Sequence, residues 1–91
     1  MADLMVTMRV MLESPEVNPK DVESKVSKVI SDFGAKVGRV EVQDIAFGLK
    51  ALQFIFIMSE SLGATDPLEE NISNIEGVRS AEVVGITRTL G

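Results

Sequence analysis

From Met5 to Leu12 the chain alternates, with Val6, Met8, Val10 and Leu12 on one face and Met5, Thr7, Arg9 and Met11 on the other. A period of two is that of a strand with one side on a core, so Arg9 points away from the main core. After a turn-rich stretch, Asn18-Pro19 sets a capping side chain before a proline at the first helical position. The period then changes: Val22, Val26, Val29, Ile30 and Phe33 form one helical stripe, and Gly34 supplies a left-handed stop. Val40 and Val42 alternate within a shorter second strand, Gly38 to Val42. The next run, Ala51 to Met58, is β-branched and aromatic with little polar alternation. It predicts a central strand buried on both faces or nearly so, with neighbours on both sides of it in sequence.

Punctuation completes the order. Ser61 to Thr65 is a loop, and Asp66-Pro67-Leu68-Glu69 predicts an N-cap, a proline at the first helical position and a capping-box glutamate. The second helical stripe is Leu68, Ile72 and Ile75, ended by Gly77. A last strand runs from Val78 to about Thr87, with Ala81, Val83 and Gly85 on one face against Ser80, Glu82, Val84 and Ile86. Strand, helix, strand, strand, helix, strand is two βαβ units joined by a hairpin. It predicts an α+β ferredoxin-like split βαβ fold, a four-stranded antiparallel sheet with two helices on one face. At 91 residues the expectation is a single domain over residues 1–91.

The stretch from Asp44 to Glu60 anchors this arrangement, with three of the four phenylalanines. Within it, Phe47-Gly48 interrupts the β pattern and marks a tight hairpin or bulge. An aromatic there has two placements, folded back over the sheet edge or exposed as a partner contact.

Composition narrows the function. The chain has no cysteine and no histidine, which excludes disulfides, zinc fingers, Fe–S clusters and His-based acid/base or nucleophilic catalysis. A net charge of −5, from 9 basic and 14 acidic residues, disfavours a sequence-independent grip on nucleic acid. No window approaches the roughly 20 apolar residues of a membrane span, and no leader pattern is present, so a cytoplasmic protein is expected. Gly34-Ala35-Lys36-Val37-Gly38 lacks the features of a phosphate loop and reads as a helix stop and strand entry. Phe54 and Phe56 share one face of their strand and read as core, not as an RNA-stacking platform. Asp66, Glu69 and Glu70 are explained by capping and the helix dipole, and the five methionines by packing, so no metal site or cofactor is expected.

Asp44-Ile45-Ala46-Phe47-Gly48-Leu49-Lys50-Ala51-Leu52-Gln53 resembles the Gly-Tyr-Gly-Ile-Lys-Lys-Leu-Gln segment of the guanine-nucleotide exchange domain of translation elongation factor one-beta. Thr65-Asp66-Pro67-Leu68-Glu69-Glu70-Asn71-Ile72 is similar to that family's Thr-Asp-x-Leu-Glu-Glu-x-Ile helix start. Val78-Arg79-Ser80-Ala81-Glu82-Val83 is similar to its Val-Gln-Ser-x-Asp-Val strand. The resemblance covers most of the chain, and the length, without the extensions of the eukaryotic subunit, resembles the archaeal form. It implies a non-enzymatic factor that binds the elongation factor one-alpha GTPase, in its GDP-bound and nucleotide-free forms, and speeds release of GDP in translation elongation. The implied contacts are Phe47, Gly48 and Lys50 at the hairpin and Ile86, Thr87 and Arg88 near the end of the chain. The sequence departs from the eukaryotic pattern in having Phe47 where Tyr is usual and Ile86-Thr87-Arg88 where Phe-Asn-Lys is usual. By position, Arg88 resembles the family's penultimate Lys, which acts near the magnesium and phosphates of the partner. A different class of function for the same architecture is a small-ligand-binding regulatory domain that dimerises through its sheet.

Overall fold

The computed structural model describes residues 3–89. The elements are β1 (Asp3–Leu12), α1 (Pro19–Phe33), β2 (Lys36–Asp44), β3 (Lys50–Ser59), α2 (Asp66–Ser73) and β4 (Val78–Thr89). The strands form one sheet in the order β2-β3-β1-β4, antiparallel throughout. This is the ferredoxin-like split βαβ arrangement. Both sheet partners of β3, β1 and β2, precede it in sequence, whereas the apolar pattern suggested one on each side.

Local chemistry accounts for the helix ends. The Asn18 side chain accepts the Lys20 N–H at 2.9 Å, ahead of Pro19. Gly34 closes α1 with φ 104°, its N–H donating to the carbonyls of Ile30 and Ser31. At α2 the cap differs from expectation. Asp66 already belongs to the first turn, and Thr65 precedes it without a side-chain bond to a helix amide. The Thr65 hydroxyl instead donates to Glu69 Oε1 at 3.1 Å. The helix also stops at Ser73, so Ile75 lies beyond it. Gly77, with φ 93°, makes the turn into β4, and its carbonyl accepts the Glu13 N–H at 2.9 Å.

The core lies between the helices and one face of the sheet. Val6, Met8, Val10 and Leu12 of β1 meet Leu52, Phe54, Phe56 and Met58 of β3, beneath Val22, Val26 and Ile30 of α1 and Leu68 and Ile72 of α2. The other face of β3 is not covered, contrary to the two-sided burial its composition suggested. Ala51 is buried there, but Gln53 and Ile55 are half-buried and Ile57 is 37% exposed. With both helices on one side, that face is left to short cross-strand contacts with Met5, Thr7, Arg9 and Met11.

The outer strands are irregular where the central pair is not. β2 shifts register between Val37 and Arg39, with Gly38 as the extra residue, and Val42 on this edge strand is 52% exposed. β4 shifts twice: Val84 is unmatched between Thr7↔Gly85 and Met8↔Val83, and Arg79 between Met11↔Ser80 and Leu12↔Val78. Each extra residue reverses the alternation beyond it. Val78 therefore faces the core with Leu12, and Ile86 joins the helix side opposite Val6 while Gly85 faces outward. The simple alternation expected for Val78 to Thr87 holds only for the segment between the bulges.

Two substitutions test this packing. Phe54→Ala, at a fully buried site, is expected to lower unfolding free energy by about 3–5 kcal/mol in denaturant titration. Gly77→Ala combines a left-handed backbone with a Cβ placed 3.0 Å from Val17 Cγ1. It is expected to lower stability by at least about 1–2 kcal/mol, and a wild-type midpoint would show that the turn can relax.

Candidate functional site

The first cluster is the β2–β3 hairpin. Asp44 and Lys50 are the last matched pair, their side chains 4.0 Å apart and exposed, an arrangement worth about 0–1 kcal/mol at a surface. Beyond them the Ile45 N–H donates to the Leu49 carbonyl at 2.8 Å and the Leu49 N–H to the Ala46 carbonyl at 3.3 Å. Ala46–Gly48 forms a single tight turn between these bonds. Two successive residues take positive φ there, Phe47 at 62° and Gly48 at 76°. Glycine adopts that region freely, and Gly48 also lies against the β1–α1 loop, where a Cβ would sit 3.9 Å from Pro15.

Phe47 is different. Its φ 62° and ψ 31° are left-handed, a conformation that costs a bulky L-residue on the order of 1–3 kcal/mol. Its side chain is 95% exposed, so packing recovers none of that cost. Of the two placements open from sequence, the structure takes the exposed one. The result is a large apolar side chain held in a left-handed backbone at the end of a hairpin and presented to solvent.

The second cluster is the end of β4. Ile86, opposite Val6, lies on the helix side and is 54% exposed; Thr87, opposite Met5, is on the uncovered face; Arg88, opposite Leu4, is again on the helix side. Thr89 donates its hydroxyl proton to the Asp3 carbonyl at 3.0 Å, which ties this segment to β1. Arg88 Nη2 lies 3.2 Å from Glu60 Oε2. Arg88 is therefore an ordered strand residue. Had β4 alternated without a bulge, Arg88 would have shared the outward face with Glu82.

Glu60 was not singled out from sequence. It opens the tight turn Glu60–Leu62 that follows β3, where Ser59 Oγ accepts the Ser61 N–H at 3.3 Å and the Glu60 carbonyl accepts the Gly63 N–H at 3.3 Å. Only the strand order β3-β1-β4 brings it to Arg88. The structure does not bring the two clusters together. Lys50 starts β3, and Arg88 pairs with Leu4 at the start of β1, beside the far end of β3. A ten-residue strand separates them, which at about 3.3 Å per residue is roughly 30 Å.

The other candidates are used structurally. Phe54 and Phe56 are fully buried and offer no stacking surface. Glu69 is engaged by Thr65, and among the described residues no group of three or more carboxylates is placed to hold a metal ion. An open hollow between the helices is lined by Val29, Asp32, Phe33 and Asn71.

Comparison with known proteins places this geometry in a family. Residues 5–89 match the EF-1 guanine nucleotide exchange domain. The chain is 46% identical over 89 residues to an elongation factor 1-beta of Sulfurisphaera tokodaii and 47% identical over 91 residues to that of Metallosphaera sedula, each alignment covering 97% of both proteins. An elongation factor 1-beta of Methanothermobacter thermautotrophicus is 33% identical over 90 residues, covering 99% of this chain and all of the relative. Among solved structures, the ACT domain of a Chlorobium tepidum GTP pyrophosphokinase superposes with a TM-score of 0.61 at 18% identity, covering 90% of this chain and 99% of that one. The C-terminal domain of Mycobacterium tuberculosis MgtC does so with 0.66 at 14%, covering 94% and 87%. At that identity the structures share the fold alone. A match across nearly every described residue, joined to near-full-length relatives of one name, makes this chain a member of the EF-1 guanine nucleotide exchange domain family.

Proposed function

We propose that this chain promotes release of GDP from the elongation factor one-alpha GTPase, so that GTP can replace it during translation elongation. The observation that carries the reading is the match to the exchange domain over residues 5–89. The exposed, strained Phe47 and the ordered Arg88 are in keeping with it. No helix among the described residues is long and apolar enough to cross a membrane.

Exchange needs no nucleophile, base or resident metal. The factor must bind the nucleotide-free GTPase more tightly than the GDP-bound form, and each 1.4 kcal/mol or so of difference weakens GDP tenfold. In this reading Phe47 enters an apolar pocket of the partner as an anchor, with Lys50 at its base, and burying such a side chain adds about 1.5–3 kcal/mol. Ile86 and Thr87 contact the partner from the two sides of β4. Arg88 brings positive charge toward the phosphates and Mg²⁺ of the bound nucleotide, the largest charges holding GDP in place. A guanidinium serves there in place of the ammonium usual in eukaryotic relatives, with broader and less strongly hydrated charge. The roughly 30 Å between the clusters lets one rigid sheet engage two regions of the partner at once.

The decisive assay is release of a fluorescent GDP analogue from the cognate GTPase. Substoichiometric amounts of this chain are expected to accelerate release; release at the intrinsic rate would favour a metabolite-binding regulatory domain instead. Phe47→Ala is expected to weaken association with the GTPase while moving the melting temperature by no more than about 4 °C. Phe47→Gly should be the more stable of the two by about 1 kcal/mol, because glycine relieves the left-handed strain. A stability loss of about 3 kcal/mol in either variant would assign Phe47 to the core. Arg88→Ala is expected to keep affinity for the nucleotide-free GTPase within roughly tenfold yet lose most of the acceleration, and Arg88→Lys to retain it.

A further inference from the structure

Arg88 is a long side chain near the end of an edge strand, and left alone it would sample many rotamers. Fixing such a side chain on binding weakens the complex unless something has already fixed it. Three features restrain it here: its pairing with Leu4, the Thr89–Asp3 hydrogen bond on one side of it, and Glu60, whose carboxylate lies 3.2 Å from Nη2. The first two hold the backbone, and among the described residues it is Glu60 that acts on the guanidinium. Glu60 is itself well placed to do so, because its backbone is closed into the turn after β3.

The contact joins one nitrogen to one carboxylate oxygen. A guanidinium has five N–H donors and remains charged, so a single contact can aim it and leave other donors for a ligand. The β4 bulge at Val84 is what brings Arg88 to the same side of the sheet as Leu4 and within reach of Glu60. From this geometry we infer that Glu60 is a positioning residue for exchange: it holds the Arg88 guanidinium in the orientation that the partner's phosphate region receives. The inference rests on the role assigned to Arg88 above. Glu60 touches neither nucleotide nor metal in this mechanism and acts only through Arg88.

The test pairs exchange kinetics with a direct view of the side chain. In stopped-flow release of a fluorescent GDP analogue at saturating factor, Glu60→Gln is expected to slow release roughly two- to fivefold, the range of an exposed ion pair, while affinity for the nucleotide-free GTPase stays within twofold. The deficit should shrink as wild type is slowed toward it at high salt, where the pair is screened. In the Arg88→Ala background Glu60→Gln should have no further effect. Nitrogen-15 relaxation of the Arg88 side-chain Nε–H group in the free protein should report greater mobility in Glu60→Gln than in wild type. An unchanged or faster release rate in Glu60→Gln, or equal slowing in the Arg88→Ala background, would overturn the inference, the latter by showing a structural role. If Arg88→Ala itself exchanges at the wild-type rate, the role of Arg88 fails first and takes the inference with it. Loss in Arg88→Ala with none in Glu60→Gln sinks the inference alone.

Discussion

The ladder between β1 and β3 is the constraint on which the rest of the structure depends. It runs without a register shift from Asp3↔Ser59 to Met11↔Ala51, whereas both outer pairings are broken by bulges. Regularity at the centre keeps Val6, Met8 and Val10 aligned with Phe56, Phe54 and Leu52, and these six side chains are fully buried. Slipping this pair by one residue would turn one strand's three to solvent. The outer strands carry less of the core and have freedom to bend, and the candidate contacts lie on one of them, on the turn that joins the other to the centre, or, for Lys50, at the first residue of β3 beside that turn.

Such a division suits the role proposed above, binding differently to two states of a partner. The unbroken central ladder sets the separation of the Phe47 turn from the Arg88 strand end, so in the proposed complex strain or displacement in the partner would not be absorbed by stretching this sheet. Neither cluster requires reactive chemistry. The hairpin offers area and shape, the strand end offers charge, and the sheet relates them mechanically.

Much of this was legible in the sequence because local and global signals agree. The switch from a period of two at Val6–Leu12 to a helical stripe at Val22–Ile30, with Asn18-Pro19 and Gly34 at the joints, leaves little choice of element. The uncovered side of β3 was not legible. Ile55 and Ile57 look like core residues in any window of the chain, and only the placement of both helices on one face decides otherwise. The bulge at Val84 was signalled weakly by the adjacent Gly85, an interruption of a strand pattern, but which residue is unmatched depends on pairing with Thr7 and Met8. Glu60 gave no local sign, since its relation to Arg88 crosses β1. Phe47 was marked as unusual, yet its exposure follows from a left-handed backbone that phenylalanine by itself disfavours.

The unmatched Val84 also gives β4 a property of parity. A strand presents side chains to two sides by counting residues as odd or even, and one supernumerary residue inverts the count for everything after it. Between Gly85 and Thr89 the chain therefore reads in the opposite phase from Ala81 to Val83. Removing Val84 would abolish the bulge yet leave Arg88 opposite Leu4 on the helix side, whereas smoothing the bulge with every residue kept would carry the guanidinium through the plane of the sheet with no change in charge or composition. The side to which the terminal cation points is therefore a matter of pairing as much as of sequence: a family member one residue shorter there and without the bulge would aim it to the same side as this chain does.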